Sequence, residues 1–138
     1  MICLRSIITH MSNENEIRRL VEEWAKAVRE GNLDGILAHH SNDIVMFDVP
    51  PPFQSVGIDE YRKTWELFFT GTEPGRFDIR ELKIFAGADV AFCTATMQCS
   101  WKNGDTFEEL DFRLTIGLVK KDEDWMIVHE HHSVPANT

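Results

Sequence analysis

The residues with the clearest chemical potential lie near the end of the chain, in the segment WMIVHEHHS at 125–133. In an alternating strand, His129 and His131 share one face, and Glu130 and His132 share the other. A His-x-His pair on a strand needs a third ligand to hold zinc, and the chain has no His-Glu-x-x-His helix. We therefore predict no metal site and treat His131 or His129 as the candidate acid of an acid–base reaction.

Asp48 and Arg113 are the candidate charged groups outside that segment. Asp48 follows the apolar run at 44–47 and shortly precedes three prolines, so a rigid turn could hold its carboxylate at a pocket mouth as a base. The alternative is a turn aspartate that caps backbone donors. Arg113 lies in a strand pattern, where it would be exposed, paired with a carboxylate, or the anchor for a negative group of a ligand.

Four large side chains are candidates for the lining of a small-molecule pocket, namely Trp24, Phe53, Trp65 and Met97. Pockets for organic ligands are lined mainly by apolar and aromatic groups. Aromatic residues at helical spacing more often build the core, and that alternative stays open for Trp24 and Trp65.

The elements that position these groups follow from hydrophobic periodicity. Apolar residues at three- and four-residue steps predict a first helix from near residue 12 to Gly31, a short second helix through Leu33 to His40, and a third at 58–69. After a loop at 71–75, strands are predicted at 77–85, 88–101, 107–120 and 124–133, in addition to 44–47. Short joints favour antiparallel neighbours, and helices that precede strands favour an α+β domain.

Composition narrows the class of protein. A length of 138 residues with 43% hydrophobic residues fits one domain, which we place at 12–138 after a mobile extension at 1–11. The apolar runs are too short to span a membrane, and an excess of 23 acidic over 14 basic residues disfavours nucleic acid as a partner. Cys93 and Cys99 lie too far apart along one strand to bond, which favours the cytoplasm. No cofactor motif is present.

Several segments together carry a resemblance to a known family: VREGNLDGIL at 28–37, NDIVMFDVP at 42–50, GIDEY at 57–61, RLT at 113–115 and WMIVHEHHSVP at 125–135. This set resembles the SnoaL-like and ketosteroid-isomerase-like proteins of the nuclear transport factor two-like superfamily. The ending is similar to a bacterial SnoaL-like subgroup and to the association domain of calmodulin-dependent kinases. The resemblance implies a cone, in which about three N-terminal helices pack on a strongly curved antiparallel (mixed) sheet around a pocket, and a homodimer.

The resemblance also implies roles for single residues. The catalytic aspartate of steroid isomerases falls on Asp48. Their two oxyanion donors, a tyrosine and an acid, fall on Trp24 and close to Thr115, and two pocket tyrosines fall on Trp65 and His40. Because stabilisation of the oxyanion supplies much of such catalysis, steroid isomerase activity itself is not expected.

The leading hypothesis is a domain that binds a small organic ligand and acts as an isomerase, cyclase or hydrolase on a carbonyl compound. Asp48 would be the base, His131 or His129 the acid, and Arg113 the anchor of a negative group. The rival hypothesis is a non-catalytic association or ligand-sensing module that dimerises through the sheet face outside the pocket. A third is a vestigial pocket in a domain that serves a partner protein, since widely reused folds do not fix function.

Overall fold

A computed structural model describes residues 11–136 of the chain, so nearly all of the predicted extension at 1–11 lies outside the described residues. Within that range, three helices are followed by most of a six-stranded sheet. The helices are α1 (Asn13–Glu30), α2 (Leu33–Leu37) and α3 (Ile58–Phe69), and the strands are β1 (His40–Phe47), β2 (Ser55–Val56), β3 (Glu73–Ala86), β4 (Val90–Asn103), β5 (Thr106–Lys121) and β6 (Asp124–Ser133). The strand order is β2-β1-β6-β5-β4-β3. Only β1 and β6 pair in parallel among these neighbours, so the sheet is mixed and the domain is α+β, as predicted.

The helix α1 has clear signals at both ends. At its start, the backbone N–H of Asn15 donates to Ser12 Oγ at 3.1 Å, and two glutamates in the first turn suit the positive end of the helix dipole. It ends at Gly31, whose φ of 64° lies in the left-handed region that glycine adopts without strain. Its apolar stripe is buried, and Trp24 is only 2% exposed.

The core lies between the helices and one face of the sheet, which we call the inner face. In β5, that face carries the buried side chains Phe112, Leu114, Ile116 and Leu118. From the helices, Trp24 packs edge-on against Trp65. The opposite face of the sheet is the outer face, and in β5 it carries exposed polar residues between the buried ones.

The predicted secondary structure is wrong at three places. His40 begins β1 rather than ending the second helix, because α2 stops after five residues and His39 turns the chain with a φ of 61°. The predicted loop at 71–75 is shorter, since β3 begins at Glu73, which pairs with Lys102. The two-residue strand β2 was not predicted, and it pairs with β1 at the sheet edge.

A bulge in β6 decides which of its side chains face the core. Gly117 pairs with His129 and Leu118 pairs with Ile127, so Val128 is an extra residue on β6. Before the bulge, the buried side chains are Trp125 and Ile127; after it, they are Glu130 and His132. The inward-facing positions of β6 are therefore odd before the bulge and even after it.

The parallel pairing of β1 with β6 brings the end of β1 to the end of β6. Phe47 pairs with His131, so Asp48 and His132, the next residues of two strands that run in the same direction, come side by side. The proline segment at 50–52 then leads the chain away from the sheet.

Candidate functional site

A cavity of about 470 Å³ opens between α3, the segment after β1 and the inner face of the sheet. A volume of this size suits a small organic molecule. Most of its lining is apolar, with aromatic rings at the centre: Trp65, Phe68, Phe77, Trp101 and Phe112. The ionisable side chains of the lining, apart from the thiol of Cys99, are Asp48 and His132.

Asp48 belongs to the polar part of the cavity lining. One of its carboxylate oxygens accepts a hydrogen bond, and the other is available to a ligand. Its Oδ1 accepts a hydrogen bond from the backbone N–H of Val49 at 2.8 Å and lies 3.5 Å from His132 Nδ1. Among residues 11–136, Oδ2 has no hydrogen-bond partner. The side chain is 23% exposed, so the carboxylate meets both the cavity and solvent.

His132 connects the cavity to a buried carboxylate beneath it. Its Nε2 lies 2.9 Å from Glu130 Oε1, while Nδ1 faces Asp48. The ring stacks on Phe112 with centroids 5.1 Å apart, and the residue is 6% exposed. The imidazole is therefore held in one orientation by an aromatic ring and by a carboxylate on each side.

Glu130 is fully buried and both of its oxygens are occupied. Oε2 accepts from the hydroxyl of Tyr61 at 2.7 Å and lies 2.5 Å from Nε2 of His40, while Oε1 meets His132. Removing a carboxylate from water costs several kcal/mol unless charged or polar partners compensate. Three partners from β1, α3 and β6 supply that compensation here.

Tyr61 and Trp24 extend this hydrogen-bond network into the helices. The indole N–H of Trp24 donates to the Tyr61 hydroxyl at 3.0 Å, and that hydroxyl donates in turn to Glu130. The rings of His40 and Tyr61 stack at 4.7 Å. We call the set Trp24, His40, Tyr61, Glu130 and His132 the buried network.

The buried network shifts three pKa values strongly. Burial raises the pKa of Glu130, but the hydrogen bonds from His132 and His40 outweigh it and lower that pKa to about 2. Burial lowers the pKa of His132, but Asp48 and Glu130 outweigh it and raise that pKa to about 9. Burial and the adjacent Glu130 raise the pKa of Tyr61 well above 10, so its hydroxyl keeps its proton.

The structure does not place His129 and His131 in the cavity, as a role as the acid would require. Both lie beyond the bulge at odd positions, so they face outward, and their rings pack against Phe47 of the outer face. His129 Nδ1 also lies 2.6 Å from the carbonyl oxygen of Val45. The histidine that lines the cavity is His132.

Three predicted ligand-binding residues also lie away from the cavity. Arg113 and Thr115 are exposed on the outer face, because the inner positions of β5 are the even ones, and Arg113 donates to Ser133 Oγ at 3.1 Å. Phe53 follows the prolines and is 96% exposed. Arg113 therefore does not anchor a ligand in this cavity.

Some of the remaining predicted residues line the cavity, and the others lie beneath it or in the core. Asp48 and Trp65 line the cavity. Trp24 and His40 lie beneath it as members of the buried network, and Met97 is fully buried in the inner face of β4 without reaching the cavity. The core alternative thus holds for Trp24, and Met97 is also a core residue.

Three functional candidates were missed by sequence reasoning: His132, Glu130 and Tyr61. For His132 and Glu130, the sequence offered one signal: in an alternating strand, both lie on the face opposite to that of His129 and His131. Tyr61 lies within the predicted third helix, but nothing local connects it to a residue 69 positions later in the chain.

Metal ligation and membrane spanning were also considered. Within the described range, no three His, Cys, Asp or Glu side chains are grouped so as to hold a metal ion. No helix between residues 11 and 136 has the length and apolar character needed to cross a bilayer. The prediction that the site holds no metal remains a prediction.

Comparisons with known proteins place the chain in a family. The model of the SnoaL-like domain matches residues 17–137. An NTF2-like protein of unknown function from Pseudomonas putida KT2440 is 30% identical, with a TM-score of 0.79 over 93% of this chain and 92% of its own. No curated protein matches the chain.

Two more distant solved structures share the fold. A ketosteroid isomerase-like protein from Erwinia carotovora atroseptica is 17% identical, with a TM-score of 0.75 over 91% of this chain and 100% of its own. A protein with a cystatin-like fold from Nostoc punctiforme is 13% identical, with a TM-score of 0.70 over 89% of this chain and 91% of its own. The family match over residues 17–137, together with the 30% identity to the Pseudomonas putida protein, shows that the chain belongs to the SnoaL-like domain family of the NTF2-like superfamily.

Proposed function

We propose that the cavity binds a small, mostly apolar organic carbonyl compound and catalyses acid–base chemistry on it, of the isomerase, cyclase or hydrolase kind. The observation that carries the proposal is the pairing of Asp48 with His132 at one end of an otherwise apolar cavity. Apolar surroundings strengthen the interaction of such groups with a developing charge. A carboxylate and an imidazole are the two side chains most used for proton transfer.

The geometry suggests which step of the reaction Asp48 would perform and which His132 would perform. Oδ2 of Asp48 would take a proton from the carbon next to the carbonyl group, and the electron pair of that C–H bond would form a C=C bond. The carbonyl π electrons would move to oxygen, which would be stabilised by a hydrogen bond from His132. In a β,γ-unsaturated substrate, return of the proton to the γ-carbon would give the conjugated isomer, and return to the same carbon would give exchange with solvent.

The comparisons support this proposal at the level of the fold. One structural neighbour is named a ketosteroid isomerase-like protein, and at 17% identity its likeness concerns the fold. The candidate pair in this chain differs from the predicted steroid-isomerase set because His132, rather than Trp24 or Thr115, would meet the oxygen. We therefore expect a carbonyl substrate without a steroid preference.

Exchange of α-protons with deuterium tests the proposed chemistry before a substrate is known. The probe is 2-tetralone, an aromatic ketone with enolisable α-carbons, incubated in D2O and followed by proton NMR. We expect the protein to accelerate exchange, and Asp48→Asn to abolish the acceleration. Asp43→Asn makes the same charge change at an exposed site in β1 and should retain it.

Each outcome of this test is informative. If Asp48→Asn exchanges as fast as the unmodified protein, Asp48 is not the base. If none of the three proteins accelerates exchange over buffer, although the ketone shifts amide signals of cavity residues, the domain binds ligands without this catalysis. That second result would favour the association or sensing module.

We also propose a homodimer formed through the outer face. Exposed aromatic groups support it: Phe85 and Phe92 stack at 4.8 Å and remain 52% and 48% exposed. Exposed apolar side chains that lie together commonly mark association surfaces. Because the cavity opens on the inner face, a dimer of this kind fits either the catalytic or the sensing function.

A further inference from the structure

Glu130 does not line the cavity, but it bonds directly to His132, which does, and so affects the protonation of His132. It is 0% exposed, does not belong to the cavity lining, and bonds His132 through Oε1 at 2.9 Å. Asp48 lies on the other side of the same ring. The imidazole of His132 is therefore placed between two carboxylates.

The contacts of both ring nitrogens favour a doubly protonated His132. A neutral imidazole has one N–H and one bare nitrogen that can only accept. Nε2 and Nδ1 of His132 each face a carboxylate oxygen, at 2.9 Å and 3.5 Å, and an ionised carboxylate can only accept. A bare nitrogen would be repelled on either side, so the doubly protonated ring fits both contacts.

His40 completes the charge balance on the far side of Glu130. Its Nδ1 lies 2.9 Å from the carbonyl oxygen of Ala38, which can only accept, so this nitrogen carries a proton. Its Nε2 lies 2.5 Å from Glu130 Oε2, and one proton must be present between those two atoms. Tyr61 adds a second donor to the same oxygen.

The other groups that face His132 are neutral. Trp24 of α1 and Trp65 of α3 present aromatic rings at 6.1 Å and 6.5 Å, and Phe112 of β5 stacks on the imidazole. Cys99 of β4 lines the same cavity, and burial raises the pKa of its thiol to about 11. The charged neighbours of His132 are thus Asp48 and Glu130.

We propose that Glu130 is a positioning residue that keeps His132 doubly protonated, so that His132 serves only as the acid of the cavity and Asp48 as its only base. An imidazolium can donate a proton but cannot accept one. This inference rests on the proposed function for its catalytic meaning, while its structural content, the charge of His132, can be measured without turnover. The raised pKa of His132 agrees with it.

Nitrogen-15 NMR of the histidine rings tests the proposal directly. The His132 signals are assigned by their loss in His132→Gln, and the ring is followed from pH 6 to pH 10. In the unmodified protein, we expect both His132 nitrogens to remain protonated at pH 8. In Glu130→Gln, we expect the midpoint to fall by at least about one pH unit, because one of two stabilising charges is removed.

Two further variants separate the effect of the Glu130 charge on His132 from an effect of the substitution on folding. Glu109→Gln removes one negative charge from an exposed position of β5 and should leave the His132 midpoint unchanged. Glu130→Asp retains the charge and should keep His132 more protonated at pH 8 than Glu130→Gln does. If Glu130→Gln does not fold, the titration of the unmodified protein still decides, because a neutral His132 ring at pH 8 overturns the proposal.

The test also separates failure of this inference from failure of the proposed function. A His132 midpoint that is unchanged in folded Glu130→Gln would overturn the role of Glu130, even if Asp48→Asn abolishes α-proton exchange. A charged His132 that loses its proton in Glu130→Gln, with no exchange by the unmodified protein, would overturn the carbonyl chemistry and leave the control of His132 by Glu130 established. If exchange occurs, Glu130→Gln should also move the alkaline limb of its pH profile to lower pH.

Discussion

Replacing Tyr61 with Phe removes a single oxygen from the centre of the buried network. The hydroxyl donates to Glu130 Oε2 at 2.7 Å and accepts from the indole N–H of Trp24 at 3.0 Å. The phenyl ring remains, so its stacking on His40 and its packing against Trp65 are retained. The substitution therefore isolates the hydrogen bonds from the apolar contacts.

The expected loss follows from the two bonds. A hydrogen bond to a charged group contributes about 1.5–3 kcal/mol to stability, and a buried donor left without a partner costs about 1–3 kcal/mol. Glu130 keeps His40 and His132 as partners, whereas no other acceptor is shown for the Trp24 N–H among residues 11–136. Allowing for local relaxation, we expect Tyr61→Phe to lower the free energy of unfolding by about 3 kcal/mol.

Equilibrium unfolding in urea at pH 6, followed by tryptophan fluorescence and circular dichroism, measures this loss. Thr70→Val is the matched control, because it removes an exposed hydroxyl at the end of α3 that, among residues 11–136, bonds only the Glu66 carbonyl oxygen. It should change the free energy of unfolding by less than about 0.5 kcal/mol. A Tyr61→Phe variant as stable as the control would refute the view that the hydroxyl stabilises the network.

Two further predictions concern pH and assembly. Because the pKa of His132 is raised from 6.5 in the unfolded chain to about 9 in the fold, the folded state binds the extra proton, and the free energy of unfolding should fall as pH rises from about 6.5 through 9. The loss from this group is at most about 3 kcal/mol, and urea titrations of His132→Gln should not show this fall in that range. For the proposed homodimer, Phe92→Glu on the outer face should yield monomers by light scattering, while Leu67→Glu, which is 73% exposed on α3, should not. Equal masses for the two variants would argue against the outer face as the interface.

The hydrophobic periodicity of the sequence was sufficient to predict most of the fold. The stripe of α1 and the strict alternation of β5 each identify an element and its buried face, because one long helix and one long strand pack against the same core. Periodicity failed at His40, where only five residues of α2 precede the strand, and too few residues remain to establish a helical period. Local signals cannot separate a short helix from a turn of that length.

The candidate site was predictable only in part. Asp48 was found because it stands between an apolar strand and a rigid turn, and both signals are local. His132 and Glu130 were missed because their facing depends on the bulge at Val128, which needs knowledge of the register with β5. The stabilisation of Glu130 comes from His40, 90 residues earlier, and sequence separation hides such a partner.

The extra residue in β6 has an evolutionary consequence. Loss of Val128 alone would restore plain alternation and leave Glu130 and His132 facing inward, because Ile127 and His129 already pair with the adjacent residues Leu118 and Gly117. Straightening of the bulge with Val128 retained would instead turn His129 and His131 toward the cavity and move Glu130 and His132 to the outer face, without changing any of the four side chains. Relatives that lack one residue at this place should therefore keep the same side chains in the cavity, and an alignment that places the gap later in the strand will match residues that point in opposite directions.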